Sequence, residues 1–243
     1  MHMEGKYKIA DVVFGLKTKY AYTHRICAGY ESEEPASFRI ETEEADIRRE
    51  EEASDQPFPP AYLESLAVYR KLCNEILRNY GGFLFHASAV AVDGYAYLFA
   101  APSGTGKSTH TRLWRELLGE KAVMINDDKP IIRYIDRNFY VYGTPWNGKH
   151  RLSCNDRARL AAICELTRGE KNEIKRISSA EMVRVLMNQS LRGEDGESML
   201  KLLDLFNELA KSTAFYRLKC NMDIEAAETA YEAMRVKGEK HEG

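Results

Sequence analysis

The stretch FLFHASAVAVDGYAYLFAAPSGTGKST, residues 83–109, contains two apolar runs that are separated only by Asp93-Gly94. Asp-Gly between two such runs is a strong signal for a β-hairpin. Two strands joined by so short a connection must be antiparallel, because a parallel pair needs a crossover of roughly a dozen residues or more. The sequence therefore predicts an α/β fold with a mixed parallel and antiparallel sheet, in which the strand leading into SGTGKST has an antiparallel neighbour.

The second run ends in APSGTGKST, which departs from the phosphate-loop pattern G-x-x-x-x-G-K-[ST] only at Ala101. Alanine is tolerated there if its backbone dihedrals are ordinary. The predicted phosphate-binding residues are Ser103, Gly104, Thr105, Gly106, Lys107, Ser108 and Thr109. In such loops the lysine reaches the β- and γ-phosphates and the hydroxyl after it binds Mg²⁺. The alternative is a glycine-rich turn without a ligand. Such a turn would not need a strand before it and a helix after it, and this sequence predicts both.

An acidic pair follows the next predicted strand, KAVMIN, at Asp127-Asp128. Acidic residues at this position of nucleotide sites bind the metal ion. Two adjacent aspartates point in different directions, so one can orient Mg²⁺ while the other accepts a proton from an attacking hydroxyl. The alternative is a structural Asp-Asp turn that caps a loop.

Two further features are open between a functional and a structural interpretation. His86 lies in an otherwise apolar strand, where a histidine is usually a core residue, but the partner strand leads into the phosphate loop. The stretch YGTPWNGKHR, residues 142–151, is either a substrate-binding loop or a solvated connection. Its candidate substrate residues are Trp146, Asn147, Lys149 and Arg151.

A change of pattern near residue 80 divides the chain. Residues 7–41, including YAYTHRICAGY, are rich in aromatic and β-branched residues and predict strands. AYLESLAVYRKLCNEILRNYGG then predicts a helix that ends at Gly81-Gly82. We predict a small N-terminal α+β module, residues 1–80, that contributes to acceptor recognition, and a catalytic domain, residues 81–243.

Later segments predict the remaining helices and strands of the proposed catalytic domain. STHTRLWRELLG predicts a helix after the loop, and PIIRYID and FYVYG, joined by RN, predict a second hairpin. Ser178 and Glu181 match a capping box at the start of another helix. The last predicted helix is followed by the polar tail VKGEKHEG, residues 236–243.

Composition excludes several classes of function. The formal net charge of −2 and the lack of a long basic run argue against a nucleic-acid partner. No apolar run approaches the ~18 residues of a membrane span. The five cysteines are scattered and lack C-x-x-C spacing, which favours reduced thiols and a cytoplasmic location.

The loop SGTGKST resembles that of ATP-dependent phosphoenolpyruvate carboxykinase, and residues 83–139 more closely resemble the catalytic domain of bacterial HPr serine kinase/phosphorylase. In that family a histidine precedes the loop at a similar distance, and an Asp-Asp pair ends the next strand. The resemblance implies a carboxykinase-like P-loop core that uses ATP and Mg²⁺. It also implies that Asp127 is the base, that Asp128 is a Mg²⁺ ligand and that His86 is a nearby catalytic or tuning group.

The resemblance has limits that bear on the acceptor. The later acidic E-V-R-G-type signature of the family has no clear counterpart, and the N-terminal module does not resemble the family's regulatory domain. The expected function is therefore transfer of the γ-phosphoryl group of ATP to a serine of a peptide or protein, without a commitment to HPr. The alternatives are a small-molecule kinase or carboxykinase, or a non-catalytic ATP-binding regulator. A homo-oligomer stays open.

Overall fold

The computed structural model of the protein describes residues 2–236, and the polar tail beyond them lies outside the described residues. Two sheets organise this part of the chain. The smaller sheet consists of β1 (Met3–Ile9), β2 (Val12–Thr18) and β3 (Phe38–Glu41). It is accompanied by the helices α1 (Tyr22–Ile26), α2 (Glu44–Glu52) and α3 (Pro60–Asn79).

The larger sheet follows α3 and has nine strands in the described part of the chain. Its strands are β4 (Gly82–Leu84), β5 (Ser88–Val92), β6 (Tyr95–Ala100), β7 (Ala122–Asn126), β8 (Ile131–Ile135), β9 (Asn138–Tyr142), β10 (Arg157–Arg168), β11 (Glu173–Arg176) and β12 (Ala214–Cys220). The helices of this unit are α4 (Lys107–Leu118), α5 (Ser179–Gln189), α6 (Gly196–Ser212) and α7 (Ile224–Met234).

The larger sheet is mixed, as the sequence predicts. Its strands run in the order β4-β8-β9-β10-β6-β5-β7, and β12 pairs with β10. β5 is antiparallel to both β6 and β7, whereas β10 is parallel to β6 and β12. Asp93 and Gly94 both have positive φ, 51° and 80°, as a tight hairpin turn requires. The hairpin prediction is therefore confirmed.

Alternate residues of β6 face opposite sides of this sheet. Leu98 belongs to a buried cluster with residues of α5 and α6, whereas Phe99 belongs to a second buried cluster with residues of α4 and α7. The side chains of a strand alternate between its two faces. Helices therefore cover the sheet on both sides, and α4, the helix after the predicted phosphate loop, lies on the side of α7.

A third buried cluster joins the N-terminal strands and α3 to the larger sheet. It contains Val68 and Leu72 of α3 together with Ile131, Tyr142 and Trp146. The division at residue 80 stays a prediction, and this cluster shows that α3 packs directly against the elements that follow it. Within residues 2–236, no helix has the length and apolar character needed to cross a membrane.

The predicted strand over YAYTHRICAGY is wrong in its central part, because α1 occupies Tyr22–Ile26. The Glu64 carboxylate of α3 accepts hydrogen bonds from the backbone N–H groups of Lys19 and Tyr20, at 2.7 and 2.9 Å. These contacts end β2 and turn the chain. A tertiary contact thus outweighs the strand propensity of aromatic and β-branched residues.

The single strand predicted over FLFHASAVAV is interrupted. β4 ends at Leu84 and pairs with β8, whereas β5 begins at Ser88 and pairs with β6 and β7. Between them, the backbone N–H groups of Phe85 and Ala87 donate to the carbonyls of Pro130 and Asp128, at 3.2 and 3.1 Å. The interruption therefore lays residues 85–87 beside residues 128–130.

Two other predictions concern local signals. The turn of the second hairpin is formed by Asp136 and Arg137, with φ of 49° and 62°, rather than by Arg137 and Asn138. The capping box is confirmed: the Ser178 hydroxyl accepts from the backbone N–H of Glu181, and the Glu181 carboxylate accepts from that of Ser178.

Candidate functional site

The candidate phosphate loop connects the end of β6 to the start of α4, so the predicted strand–loop–helix arrangement is present. Gly104 and Gly106 have φ of 75° and 118°, values that side-chain-bearing residues rarely adopt. No heavy atom outside their chain neighbours lies within 4 Å of a Cβ placed at either glycine, and both glycines line an open cavity. Ala101 is buried with an ordinary backbone, and its departure from the pattern causes no strain.

Lys107 begins α4 with an almost completely buried side chain, 8% exposed. Its ammonium donates a hydrogen bond of 2.9 Å to the carbonyl of Ala101. Burial lowers the pKa of Lys107, and the charges of Asp128 and Asp127 partly oppose that change. A buried ammonium is stabilised by an anion, and the open loop beside it is suited to phosphate oxygens.

Asp127 is buried at the end of β7 and is held by a chain of hydroxyls. The Ser88 hydroxyl donates to Asp127 Oδ1 at 2.6 Å. Ser88 Oγ also lies 2.9 Å from the Thr111 hydroxyl of α4. Because the single Ser88 proton goes to Asp127, Thr111 is the donor in the second bond. The phosphate-loop helix is thereby connected to the first acid of the pair.

Asp128 is partly exposed and is paired with two basic side chains. His86 Nε2 lies 3.0 Å from Oδ1, and Lys129 Nζ lies 3.7 Å from Oδ2. Burial raises the pKa of Asp128, but the His86 hydrogen bond and the charges of Lys129, His86 and Lys107 outweigh it and lower the pKa below its ordinary value. Asp128 therefore stays anionic beside the loop lysine.

These groups line one cavity of about 890 Å³. The predicted residues that line it are His86, Ser103, Gly104, Gly106, Lys107, Ser108, Thr109, Asp127 and Asp128. Thr105 is not among its lining residues, and its backbone N–H donates to the carbonyl of Pro102 at 3.2 Å. The structure thus brings together the loop, the acid pair and the histidine, which the sequence places up to 42 positions apart, from residue 86 to residue 128.

The stretch at residues 145–151 also lines the cavity. The indole of Trp146 is 5% exposed, stacks on Tyr69 at 4.2 Å between ring centroids and donates to the carbonyl of Ser65 at 3.0 Å. Asn147 donates to the Ser153 hydroxyl at 2.7 Å. Trp146 and Asn147 therefore anchor the stretch, while Lys149 and Arg151 are exposed at the cavity mouth. A substrate role for these residues stays a prediction.

Several residues at the cavity were not singled out from the sequence. Ser88 and Thr111 orient Asp127, and a serine within the apolar strand ASAVAV was the available hint. Side chains that precede residue 80 also line the cavity, among them Tyr22, Arg25, Phe58 and Tyr62. Nothing in their local sequence links them to the loop, because the packing of α3 brings them there.

The donor set suits Mg²⁺ held together with phosphates rather than a metal held by protein alone. No group of three or more His, Cys, Asp or Glu side chains that could hold a metal occurs within residues 2–236. The Ser108 hydroxyl and the Asp128 carboxylate both line the cavity. Mg²⁺ commonly binds through one or two carboxylates, substrate phosphates and water, so these two residues fit the ion.

Comparison with known proteins adds little. No protein-family model matches the chain, and no curated protein matches it. The fold search found similarity to the Hpr(Ser) kinase/phosphatase from Coxiella burnetii, with 11% sequence identity and a TM-score of 0.29 over 53% of this chain and 91% of that chain. A likeness at this level carries no weight for function, which must be inferred from the geometry of the cavity.

Proposed function

We propose that the protein is an ATP-dependent kinase with a carboxykinase-like P-loop core, and that it transfers the γ-phosphoryl group to a serine hydroxyl of a peptide or protein. The observation that supports this proposal is the convergence of a phosphate loop, a buried lysine and an acid pair in one cavity. The loop and the lysine suffice to bind a nucleotide. Phosphoryl transfer to a hydroxyl also requires a base and a metal-binding acid, which the acid pair can supply.

The phosphate end of the nucleotide lies along the loop in this proposal. The backbone N–H groups of Gly104 and Gly106 and the N-terminus of α4 face the phosphate oxygens. Lys107 releases the Ala101 carbonyl and pairs with the β- and γ-phosphates. The phosphates then give its buried ammonium an anionic partner. Ser108 and Asp128 hold Mg²⁺, which when bound neutralises charge on the phosphates.

Asp127 is the proposed base. Its Oδ1 is occupied by the Ser88 hydroxyl, while Oδ2 has no hydrogen-bond partner among the described residues. Oδ2 can therefore accept the acceptor's proton as the hydroxyl oxygen bonds to the γ-phosphorus and the bond from that phosphorus to the ADP oxygen breaks. Positioning and charge stabilisation supply most of the catalysis in such reactions.

Asp128 has a different role because its surroundings keep it ionised. Its lowered pKa makes it a poor proton acceptor and a persistent anion. His86 fixes one of its oxygens. His86 therefore acts as a tuning group that orients the metal-binding carboxylate.

The test compares two substitutions of equal size. Asp127→Asn should retain Mg-ATP binding and lower transfer of labelled phosphate by about two powers of ten or more, the span of general-base loss. Asp128→Asn should instead raise the Mg²⁺ concentration needed for binding and transfer by about tenfold or more. Asp204→Asn, at an exposed position of α6, is the matched control.

Measurement requires calorimetry with Mg-ATP and transfer assays on serine peptides across a Mg²⁺ titration. If both substitutions had equal and mild effects on binding and transfer, the acid pair would be a structural turn without a catalytic role. Tight Mg-ATP binding by the unmodified protein without transfer to any peptide, protein or small hydroxyl compound would favour the regulator hypothesis over the kinase.

A further inference from the structure

Part of the cavity lining is aromatic and partly exposed. Phe58 and Tyr62 have ring centroids 5.0 Å apart, and Tyr22 meets Tyr62 edge-on at 6.0 Å. The Arg25 guanidinium lies 5.4 Å from the centroid of the Tyr22 ring. We refer to Tyr22, Phe58 and Tyr62 as the aromatic wall. None of its three rings is fully buried, so each keeps surface that a ligand in the cavity can contact.

The aromatic wall adjoins the acid pair. Tyr62, Ser65 and Tyr69 recur at helical spacing on one face of α3. The Tyr69 hydroxyl donates to the carbonyl of Lys129 at 2.5 Å, directly after Asp128. Tyr62, Asp128 and Lys129 all line the same cavity.

This position favours the acceptor over the nucleobase. In a phosphate loop the lysine and the metal-binding groups lie at the β- and γ-phosphates, and the nucleoside leaves from the α-phosphate end. The acid pair marks the γ-phosphate end of the cavity. A wall beside Asp128 therefore faces the group that attacks the γ-phosphate.

The cavity mouth is cationic, although the whole chain has a formal net charge of −2. Arg25, Lys149 and Arg151 line the cavity and are exposed. None of these three side chains forms an ion pair with another residue of the described chain. Lys107 is committed to the phosphates in the proposed function, so the mouth cations remain for a second anionic ligand.

We propose that the aromatic wall, with the cations Arg25, Lys149 and Arg151, binds an acceptor peptide that carries an aromatic side chain beside its serine and carboxylates flanking it. This inference rests on the proposed kinase function for the orientation of the cavity. The aromatic side chain packs against Phe58 and Tyr62, and the flanking carboxylates pair with the mouth cations. The aromatic wall therefore selects the residue beside the serine, and the cations select the residues that flank this pair.

The experiment measures peptide binding without requiring transfer. Fluorescent peptides with one serine each carry the cores Glu-Phe-Ser-Glu, Glu-Ala-Ser-Glu, Lys-Phe-Ser-Lys or Lys-Ala-Ser-Lys. Anisotropy is recorded with the full chain, Mg²⁺ and a non-hydrolysable ATP analogue. We expect the Glu-Phe-Ser-Glu peptide to bind tightest. Phe58→Ala and Tyr62→Ala should each weaken it about tenfold and reduce the preference for Phe over Ala.

Arg25→Ala should reduce the preference for Glu over Lys flanks while keeping the preference for Phe. Tyr20→Ala is the control, because Tyr20 is also an aromatic residue near Tyr22 in the chain, is partly exposed and does not line the cavity. Calorimetry with the ATP analogue on each variant shows whether the nucleotide site is intact.

Each outcome decides the proposal. Equal binding of the four peptides by the unmodified protein, or no binding of any, overturns it. A loss of ATP-analogue affinity in Tyr62→Ala with peptide binding unchanged would assign the wall to the nucleobase and also overturn it. The peptide that binds tightest is then incubated with Mg-ATP in place of the analogue. The expected binding preferences without transfer in that second assay would support the peptide site while contradicting the proposed kinase function.

Discussion

Ser88 donates a hydrogen bond of 2.6 Å to Asp127, so the first residue of one hairpin fixes the carboxylate that follows a neighbouring strand. Both side chains are buried, and Thr111 of the phosphate-loop helix completes the chain of hydroxyls. The orientation of the proposed base is therefore coupled to the helix that carries Lys107. This coupling requires no contact between Asp127 and the loop itself.

Replacing Ser88 tests whether this orientation matters. Ser88→Ala frees Asp127 Oδ1 and should lower kcat by about tenfold or more while KM for ATP changes little, because the loop keeps its geometry. Ser88→Thr retains the hydroxyl and should recover part of the loss. The measurements are kcat and KM for ATP together with the pH profile of transfer.

A suitable control for that experiment is Ser198→Ala. Ser198 is also buried and accepts a hydrogen bond from Arg78, but it lies in α6, outside the cavity lining. Both alanine variants should lose about 1 kcal/mol of unfolding free energy. Equal kcat values for the two variants would limit Ser88 to a structural role.

Removing the loop cation tests the nucleotide site. Lys107→Ala should weaken Mg-ATP binding by about a hundredfold, as expected when a hydrogen-bonded charge contact of roughly 3 kcal/mol is lost. The fold should persist, because burial already disfavours the charged form of this side chain. Calorimetry on Lys107→Ala and on the exposed control Lys121→Ala gives the comparison. Unchanged ATP affinity in folded Lys107→Ala would contradict the phosphate-loop assignment.

His110 predicts a pH dependence of stability. It is buried in α4, accepts a hydrogen bond from the Trp114 indole at 3.2 Å, and burial lowers its pKa to about 3. The unfolded chain binds the proton near pH 6.5, so the contribution of neutral His110 is complete above that pH and is lost progressively as pH falls toward 3.

The variant His110→Gln keeps an acceptor for the indole and does not titrate. Between pH 7 and pH 5, the unmodified protein should lose on the order of 2 kcal/mol more unfolding free energy than this variant. Urea unfolding at both pH values measures the difference, with the exposed His2→Gln as the matched control. Parallel losses in the unmodified protein and His110→Gln would show that His110 is solvated or protonated in the folded state.

Local patterns predicted the parts of the fold that local chemistry controls. The Asp93-Gly94 turn and the Ser178 capping box are sequence signals whose hydrogen bonds lie within a few residues. The α1 helix was missed because Glu64, far along the chain, ends β2. The break at His86 was missed because apolar periodicity is the same in one continuous strand and in two strands with different partners.

The candidate site divides in the same way. The loop has a motif, and the acid pair follows a recognisable strand, so both could be proposed from the sequence. The Ser88–Asp127 bond and the aromatic wall depend on tertiary packing between distant segments. Their residues carry no distinctive spacing, and only the structure brings Tyr62 and Asp128 into the lining of one cavity.

The interrupted strand has a consequence for which changes this region can accept. The backbone N–H groups of Phe85 and Ala87 donate to the carbonyls of Pro130 and Asp128. These main-chain hydrogen bonds determine that His86 lies beside the acid pair, and they do not depend on the identity of the side chains. A deletion or insertion of one residue between β4 and β5 would replace His86 opposite Asp128 and shift Ser88 away from Asp127. A substitution in this segment affects one side chain, whereas a change in its length would break the His86–Asp128 and Ser88–Asp127 contacts together.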